Sequence, residues 1–311
     1  MKFPVFDLHC DTALALLGDN HPNNLKQNDL HIDLRRSEQL LGYAQCFACF
    51  TTTLYDNDPA ATFQKELDAI LNQIQINNDK IRLVHSSRQI EENYTNGLSS
   101  AILTIEGPAG FGFDPKKLEE LYAIGFRITT LGWNESNPLT GSHVTGGGLT
   151  VQGREYVREA QRLNMLVDVS HISDAGFWDI MQITQGPVIA SHSNSRSVWN
   201  VSRNLTDDMF RAICSTGGVA GINLYTDFLG DKATLDTVCD HILHFIDLDP
   251  TATHICLGGD LDGCDQLPAG FDGIQDYQKL AECLLRRGLD EATVYNIFWN
   301  NALGVMKKCC M

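Results

Sequence analysis

Residues 166–192 read LVDVSHISDAGFWDIMQITQGPVIASH, and this stretch contains one complete strand–helix–strand unit. Its two apolar runs, Leu166–His171 and Val188–His192, both end in a Ser-His pair. Between them, Ser173–Ile183 has the apolar spacing of a helix, with Ser173 as its N-cap. Strands joined through a helix pair in parallel by a right-handed crossover, so both histidines are expected at one edge of a sheet.

The same alternation of short apolar runs and helical stretches recurs along the whole chain. Eight strands are predicted, at Val5–His9, Ala44–Phe50, Ser100–Glu106, Phe126–Leu131, Leu166–His171, Val188–His192, Gly218–Leu224 and Ile255–Asp260. Eight helices are predicted, at Pro59–Asn77, Pro115–Ile124, Gly153–Leu163, Ser173–Ile183, Thr206–Ser215, Leu235–Ile246, Asp276–Arg287 and Glu291–Ala302. This order predicts a single α/β domain over residues 1–311, a (β/α)₈ TIM-type barrel with C-terminal helices packed on it. An open doubly wound sheet is the alternative, but its nucleotide fingerprint is missing.

Charge and composition argue against several classes of protein. The chain has 39 acidic and 23 basic side chains and a formal charge of −16, which disfavours binding to nucleic acid. No run approaches the ~18 apolar residues that cross a bilayer, and Asp7 interrupts any signal-peptide core. We therefore expect a cytoplasmic protein with neither a nucleic-acid nor a membrane partner. The ten cysteines lack paired zinc spacing, and we expect them to be reduced and mostly packed as small hydrophobes.

Polar residues of one chemical kind follow five of the predicted strands. In chain order they are His9 and Asp11, Glu106, His171, His192, and Asp260. Barrel enzymes place their chemistry at the C-terminal ends of strands, so these side chains are expected to meet. Each would otherwise be a desolvated polar group without a partner. Imidazole and carboxylate ligands favour zinc, with manganese and cobalt left open. A carboxylate shared by two ions about 3.5–4 Å apart fits this set, and Glu106 is the best bridge because Gly107 leaves room beside it.

Five segments carry a resemblance to a known family. They are FDLHCDT (6–12), TIEG (104–107), VDVSHIS (167–173), IASHSNSRSVWNVSRNLTDD (189–208) and CLGGDLDG (256–263). In this order they resemble the membrane (renal) dipeptidases and their bacterial relatives, within the amidohydrolase-type barrels. The resemblance implies a zinc dipeptidase in which His9 and Asp11 bind one ion, His171 and His192 bind the other, and Glu106 bridges both.

The resemblance also implies roles for three further residues. Asp260 would lie beside a bridging hydroxide as the proton-transfer group, Arg203 would bind the C-terminal carboxylate of the substrate, and Tyr225 would line the same pocket. The chemistry of these roles is sound, because an amine leaves only when protonated and a carboxylate can carry that proton. Arginine pairs bidentately with a carboxylate, which would favour a free C-terminus and exclude longer peptides.

One departure from the family concerns the segment after the fourth strand. The renal enzyme and many relatives carry a His there that contacts the scissile carbonyl oxygen, and Trp133 stands at that position here. Either the Trp133 N–H or the Asn134 amide could donate to an oxyanion, although a neutral donor differs from an imidazolium. His143, ten residues further on, is a loop histidine that could also reach the site.

Two other interpretations stay open at this point. The same metals could act on a lactone, an N-acyl amino acid or a deamination substrate, or the fold could be a non-catalytic metal-binding scaffold. If Arg203 faces the open metal position, a substrate with a carboxylate is favoured. By resemblance, a D-configured C-terminal residue is an expected substrate feature, and a homodimer is an expected assembly.

Overall fold

A computed structural model of the chain describes residues 2–18 and 24–309, and its strands form one parallel sheet. The strands are β1 (Val5–Cys10), β2 (Tyr43–Phe50), β3 (Ile81–Leu83), β4 (Ser99–Glu106), β5 (Phe126–Thr130), β6 (Leu166–Asp168), β7 (Val188–Ile189), β8 (Ala220–Ile222) and β9 (Ile255–Leu257). Their order is β7-β6-β5-β4-β2-β1-β9-β8, with β3 added on β4. A parallel bridge between Ala190 and Ala220 joins the two ends. The sheet is therefore a nearly closed eight-stranded barrel, and the predicted fold is confirmed.

Helices surround this barrel. They are α1 (Thr12–Ala15), α2 (Leu34–Ser37), α3 (Pro59–Ile76), α4 (Ser87–Thr95), α5 (Lys117–Ile124), α6 (Val151–Arg162), α7 (Asp174–Ile183), α8 (Asp207–Ser215), α9 (Thr226–Leu229), α10 (Leu235–Leu248), α11 (Tyr277–Arg286), α12 (Glu291–Tyr295) and α13 (Asn301–Cys309). Ser173 and Thr206 cap α7 and α8 through their side chains, as predicted. A π-helical turn, Asn296–Asn300, leads into α13, and both pack against β1 and β9. Within the described residues, no helix combines the length and the apolar character that crossing a bilayer requires.

The last four strands of the barrel, β6 to β9, are shorter than predicted, and the physical reason is clear for β6 and β7. β6 ends at Asp168 rather than at His171, and β7 ends at Ile189 rather than at His192. The reason is that the Asp168 carboxylate accepts hydrogen bonds from the backbone N–H groups of Ser170 and Ser191, at 2.9 Å each. These amides therefore bond to a side chain instead of a neighbouring strand, and the chain can turn.

Two elements were not predicted between the helix at 59–77 and the strand at 100–106. They are β3, which pairs in parallel with β4, and α4, which Ser86 caps. A strand of three residues carries too little alternation to be recognised from its sequence.

A buried acid between α3 and β2 gives a prediction about stability. Glu66 is fully buried, its Oε2 accepts a hydrogen bond from the Phe50 N–H at 2.6 Å, and its Oε1 has no partner. Burial raises the pKa of Glu66 from 4.5 to about 9. The folded chain therefore keeps a proton that the unfolded chain releases above pH 4.5, so this group lowers stability progressively as the pH rises from about 4.5 to about 9.

We expect Glu66→Gln to remove this dependence, because glutamine offers the same acceptor to Phe50 without a titrating proton. The free energy of unfolding of the variant, relative to the native chain, should rise by up to about 1.4 kcal/mol per pH unit in that window. Urea unfolding of both chains at several pH values between 5 and 9 measures the difference. Parallel stability curves would show that Glu66 ionises normally in the folded state.

Candidate metal centre

Six predicted side chains lie together at the C-terminal ends of the barrel strands. One half of the group surrounds the ring of His9 at the end of β1. Its Nε2 atom is 3.2 Å from Glu106 Oε2, 3.6 Å from Asp11 Oδ2 and 3.7 Å from Asp260 Oδ1. All four residues are buried or nearly so.

The other half of the group faces the second oxygen of Glu106. His171 Nε2 is 3.1 Å and His192 Nε2 is 3.7 Å from Glu106 Oε1, and the two Nε2 atoms are 3.0 Å apart. The rings of His9 and His192 stack with their centroids at 3.8 Å. One carboxylate thus presents each of its oxygens to a different set of imidazoles.

The backbone turns sharply where it delivers these side chains. His171 and Asp260 have φ angles of 68° and 57°, in the left-handed region that non-glycine residues seldom adopt. A Cβ on Gly263 would collide with the carboxylates of Asp11 and Asp260, so glycine is required there for space. Positive φ at such residues is a strain that clusters at functional sites.

A glycine is needed at position 107 for a reason different from the one predicted. Its φ is 76°, and a Cβ there would collide with the carbonyl oxygen of Thr51 rather than occupy space beside a metal or substrate. The Thr51 hydroxyl donates to the Gly107 carbonyl at 2.6 Å. The glycine thus lets the β2 and β4 ends approach each other closely behind Glu106.

Several buried groups hold the cluster from behind, and the sequence analysis did not identify them. His192 Nδ1 is 2.6 Å from Ser191 Oγ, which in turn donates to the Asp168 carboxylate. Asn223 Nδ2 donates to Asp260 Oδ2 at 3.0 Å. Asp168 could have been recognised, because an acid inside a predicted apolar run, here 166–171, is buried and needs hydrogen-bond partners.

Asp7 is a further buried acid next to the cluster. Its carboxylate accepts hydrogen bonds from the backbone N–H groups of His9 and Gly259 and from the Tyr277 hydroxyl. It therefore joins the ends of β1 and β9 and does not orient the His9 imidazole.

The loop after β5 brings Asn134 and His143 to the cluster. Asn134 Oδ1 is 2.9 Å from His171 Nδ1 and 2.9 Å from His143 Nε2. Trp133 lies at the mouth, where its ring makes edge contacts with Phe50 and Tyr55 at centroid distances of 5.2 and 5.8 Å. The His143 ring therefore reaches the cluster through Asn134, and its centroid lies 6.1 Å from that of the His171 ring.

Electrostatics distinguish the histidines. Burial opposes a charge on His9, but Glu106 and Asp11 outweigh it, so the pKa of His9 is raised well above its ordinary value. Burial and the charge of Arg203 push the pKa of His171 well below its ordinary value, and burial followed by His9 does the same for His192. These two imidazoles are therefore neutral and have lone pairs available as ligands.

The acids of the cluster are crowded. Burial raises the pKa of Asp260 to about 6; His9 opposes the rise, while Asp11 and Glu106 add to it. Burial and then the charge of Glu106 also raise the pKa of Asp11. Three buried carboxylates in contact repel one another, and bound cations would relieve that repulsion.

The predicted substrate-binding residues divide between two places. Trp133, Asn134 and Tyr225 line a cleft of about 250 Å³ that opens onto Glu106 and Asp260. Arg203 lies deeper and is only 4% exposed.

The Arg203 guanidinium donates to Ser193 Oγ at 2.6 Å and to the His192 carbonyl at 2.9 Å, and its Nε has no partner. Among the described residues, no carboxylate oxygen comes within 4.0 Å of this guanidinium. A buried charge without a counter-ion is costly unless an anion binds to it.

The donor set fits divalent metal ions. Ligand atoms of His9, Glu106 and His192 lie within 4.8 Å of one another, as do those of His9, Asp11 and Asp260. His9 Nε2 and Asp11 Oδ1 are buried without a hydrogen-bond partner, which is the state expected of ligand atoms that face an ion. Imidazole nitrogen and carboxylate oxygen without thiolate are ligands that zinc accepts.

A barrel with a histidine–carboxylate cluster at its C-terminal mouth is an arrangement that metal-dependent hydrolases use. The sequence matches the family described as membrane dipeptidase, peptidase family M19, over residues 1–310, and the chain belongs to that family. The enzyme class of the family is metallo-dipeptidase, so the predicted family and class are confirmed.

Two curated relatives illustrate the range of lengths in this family. The chain is 33% identical over 232 residues to an uncharacterised dipeptidase of Schizosaccharomyces pombe. The aligned region covers 72% of this chain but 57% of that protein. It is 31% identical over 264 residues to an uncharacterised protein of Klebsiella pneumoniae, covering 80% of this chain and 97% of that protein.

Two solved structures are similar over nearly the whole chain. One is described as dipeptidase AC, a metallopeptidase of family M19, with a TM-score of 0.90, 26% identity and coverage of 100% of this chain and 99% of that one. The other is a metallopeptidase from Rhodobacter sphaeroides liganded with a phosphinate mimic of L-Ala-D-Ala, with a TM-score of 0.91, 24% identity and coverage of 99% and 100%. The second likeness shows the shared fold.

Proposed function

We propose that this protein hydrolyses dipeptides at a binuclear metal centre. His9 and Asp11 would hold one ion, His171 and His192 the other, and Glu106 both. The observation that carries the proposal is the division of the Glu106 carboxylate, whose Oε2 faces His9 at 3.2 Å and whose Oε1 faces His171 at 3.1 Å. A carboxylate with one oxygen toward each ligand set is suited to bridge two ions.

Bound zinc would supply a water molecule of lowered pKa that acts as the nucleophile, and it would polarise the scissile carbonyl. The protein must then move a proton to the leaving amine. Asp260 is placed for this task, because Asn223 holds one of its oxygens and the other faces the cluster 3.7 Å from His9 Nε2. A carboxyl group whose pKa lies near 6 can both accept and return a proton near neutral pH.

Arg203 accounts for the preference for a short substrate. Its buried guanidinium has an unpartnered Nε and no carboxylate partner in the described chain, so a free substrate carboxylate would complete it. A carboxylate held there fixes the C-terminal residue next to the metal ligand His192, whose carbonyl Arg203 already contacts. The scissile bond would then lie one residue from the C-terminus, and the restriction to a single residue before it follows from the dipeptidase family.

The walls of the cleft would hold the rest of the substrate. Trp133 presents an aromatic surface at the mouth, and Asn134 offers an amide to the substrate carbonyl in place of the histidine that many relatives carry. Tyr225 also lines the cleft, and its ring is edge-on to Phe228 with the centroids 5.0 Å apart. A D-configured C-terminal residue is part of the proposal, and the phosphinate mimic of L-Ala-D-Ala in the Rhodobacter enzyme gives a reason to test it. The homodimer and the cytoplasmic location stay predictions.

Metal loading tests the proposal. We expect the purified chain to bind about two zinc ions, measured by elemental analysis, and to lose its dipeptidase activity on dialysis against a chelator. Zinc should restore the activity, and L,L and L,D dipeptides compared side by side give the stereochemical preference.

Glu106→Gln should abolish the activity and weaken the binding of both ions, because an amide is a poor bridging ligand. Glu66→Gln is the matched control, since it makes the same change in a buried residue outside the cluster, and it should bind both ions normally. A native chain that takes up no divalent cations, or that cleaves dipeptides equally well without them, would contradict the proposed function.

A further inference from the structure

The side-chain oxygen of Asn134 lies between two imidazoles. It is 2.9 Å from Nδ1 of His171 and 2.9 Å from Nε2 of His143. An amide oxygen has two lone pairs and can accept a hydrogen bond from both rings. No described residue accepts a hydrogen bond from the Asn134 Nδ2 group, and Asn134 lines the cleft.

The orientation of this amide decides which nitrogen of His171 carries the proton. With Oδ1 toward the rings, His171 donates from Nδ1 and keeps a lone pair on Nε2, the atom that lies 3.1 Å from Glu106 Oε1. With the amide reversed, Nδ2 would donate to Nδ1 and the proton would move to Nε2, where it would block a metal ion. Only the first orientation makes His171 a metal ligand.

A second set of contacts holds the His143 ring beside the amide and is compatible with Oδ1 facing both rings. His143 Nδ1 is 3.0 Å from Ser202 Oγ, which can donate to it once Nε2 carries the ring proton. The His143 N–H donates to the His171 carbonyl at 2.8 Å, and Ser142 Oγ donates to the Asn134 carbonyl at 2.8 Å. The loop is thus tied to the metal-ligand segment through backbone and side chains together.

We infer that Asn134 and His143 are positioning residues that hold His171 in the tautomer able to bind metal. The inference rests on the proposed function, because it assumes that His171 is a ligand. When His171 binds metal through Nε2, its Nδ1–H donates to Asn134 Oδ1. The same oxygen then accepts from His143 Nε2–H, and Ser202 Oγ donates to His143 Nδ1. The arrangement also leaves the Asn134 N–H groups facing the cleft, so one side chain serves the metal ligand through its oxygen and the substrate through its nitrogen.

Three variants separate these roles. Asn134→Leu removes the acceptor and should weaken the binding of one of the two ions by about 10–100-fold, with the other ion unaffected. Asn134→Asp keeps an acceptor for His171 Nδ1–H, so it should bind zinc at least as tightly as the native chain while losing the N–H donor, and kcat should fall. His143→Phe should weaken the binding of the same ion by about tenfold or less, since the Asn134 amide remains but loses the ring that holds its orientation.

Zinc affinity is measured on metal-free protein by competition with a chromophoric chelator, and visible absorption of the cobalt-substituted chains reports the geometry at the same ion. Asn200→Leu, at an exposed residue, is the matched control and should leave both affinities unchanged. The inference is overturned if Asn134→Leu binds both ions as tightly as the native chain, or if Asn134→Asp loses as much affinity as Asn134→Leu. A native chain that binds no zinc overturns the proposed function instead, so the two failures are distinguishable.

Discussion

Replacing Asp260 by asparagine is expected to lower kcat on dipeptides by about 10²–10⁴-fold, which is the usual contribution of a positioned acid–base group. Asparagine keeps the shape of the side chain and an oxygen for the Asn223 N–H, but it has no carboxylate to take up a proton and return it to the amine. The five remaining cluster residues are unchanged, so the variant should still bind metal. Steady-state kinetics together with elemental analysis of the same preparation measure both properties.

Asp265→Asn is the control for this experiment, because Asp265 is an exposed acid only five residues away. It should retain native kcat. If Asp260→Asn binds its metal ions and turns over within a few-fold of the native rate, proton transfer does not depend on Asp260, and the mechanism must use another group.

Arg203→Met should lower kcat/KM on dipeptides by about 30-fold to several thousand-fold, since losing one partner of a buried charge pair costs about 2–5 kcal/mol. The loss should be confined to substrates with a free C-terminal carboxylate. Dipeptide amides, which lack that charge, should be poor substrates of the native chain and should be cleaved no more slowly by the variant. The fold should tolerate the change, because it removes a buried charge that has no carboxylate partner in the described chain.

Arg211→Met serves as the control for a lost arginine, since Arg211 lies on the outer surface of α8 and pairs with Asp208. A second outcome would redirect the assignment of substrate. Suppose that the native chain cleaves dipeptides only weakly and that Arg203→Met leaves its hydrolysis of esters or lactones unchanged. The site then acts on another electrophile with the same ligands.

Much of the barrel could be predicted from the sequence because its strands are buried on both faces. The runs at 44–50 and 100–106 differ from β2 and β4 by one residue each, since buried, largely apolar strands leave a strong local pattern. The strands at 166–171 and 188–192 were predicted too long, because the contacts that end them are not local in the sequence. Their last residues turn away from the sheet because Asp168 bonds to their backbone, and a hydrogen bond between distant residues leaves no periodicity to read.

The candidate site shows the same division. The sequence was enough to predict that His9, Glu106, His171 and Asp260 lie together, because parallel strands bring their C-terminal ends to one mouth of the barrel. The presence of Trp133 in place of a family histidine could also be recognised from the sequence, but the residue that takes over the contact with the cluster could not. Whether Asn134 or His143 would contact the cluster depended on how an irregular loop folds back on the segment after β6, where Ser142 pairs with Ile172, and the local sequence does not specify that.

The architecture, the chemical types of the candidate ligands and the sign of their charges could be predicted, because these follow from local periodicity and from residue type. Three facts could be seen only in the folded chain. They are which oxygen of Glu106 faces which histidine, the burial of Arg203 without a carboxylate partner among the described residues, and the position of Asn134 between two rings. Those facts depend on distances of a few ångströms between residues far apart in the chain. Such distances are set by the packing of the whole barrel and not by any one segment.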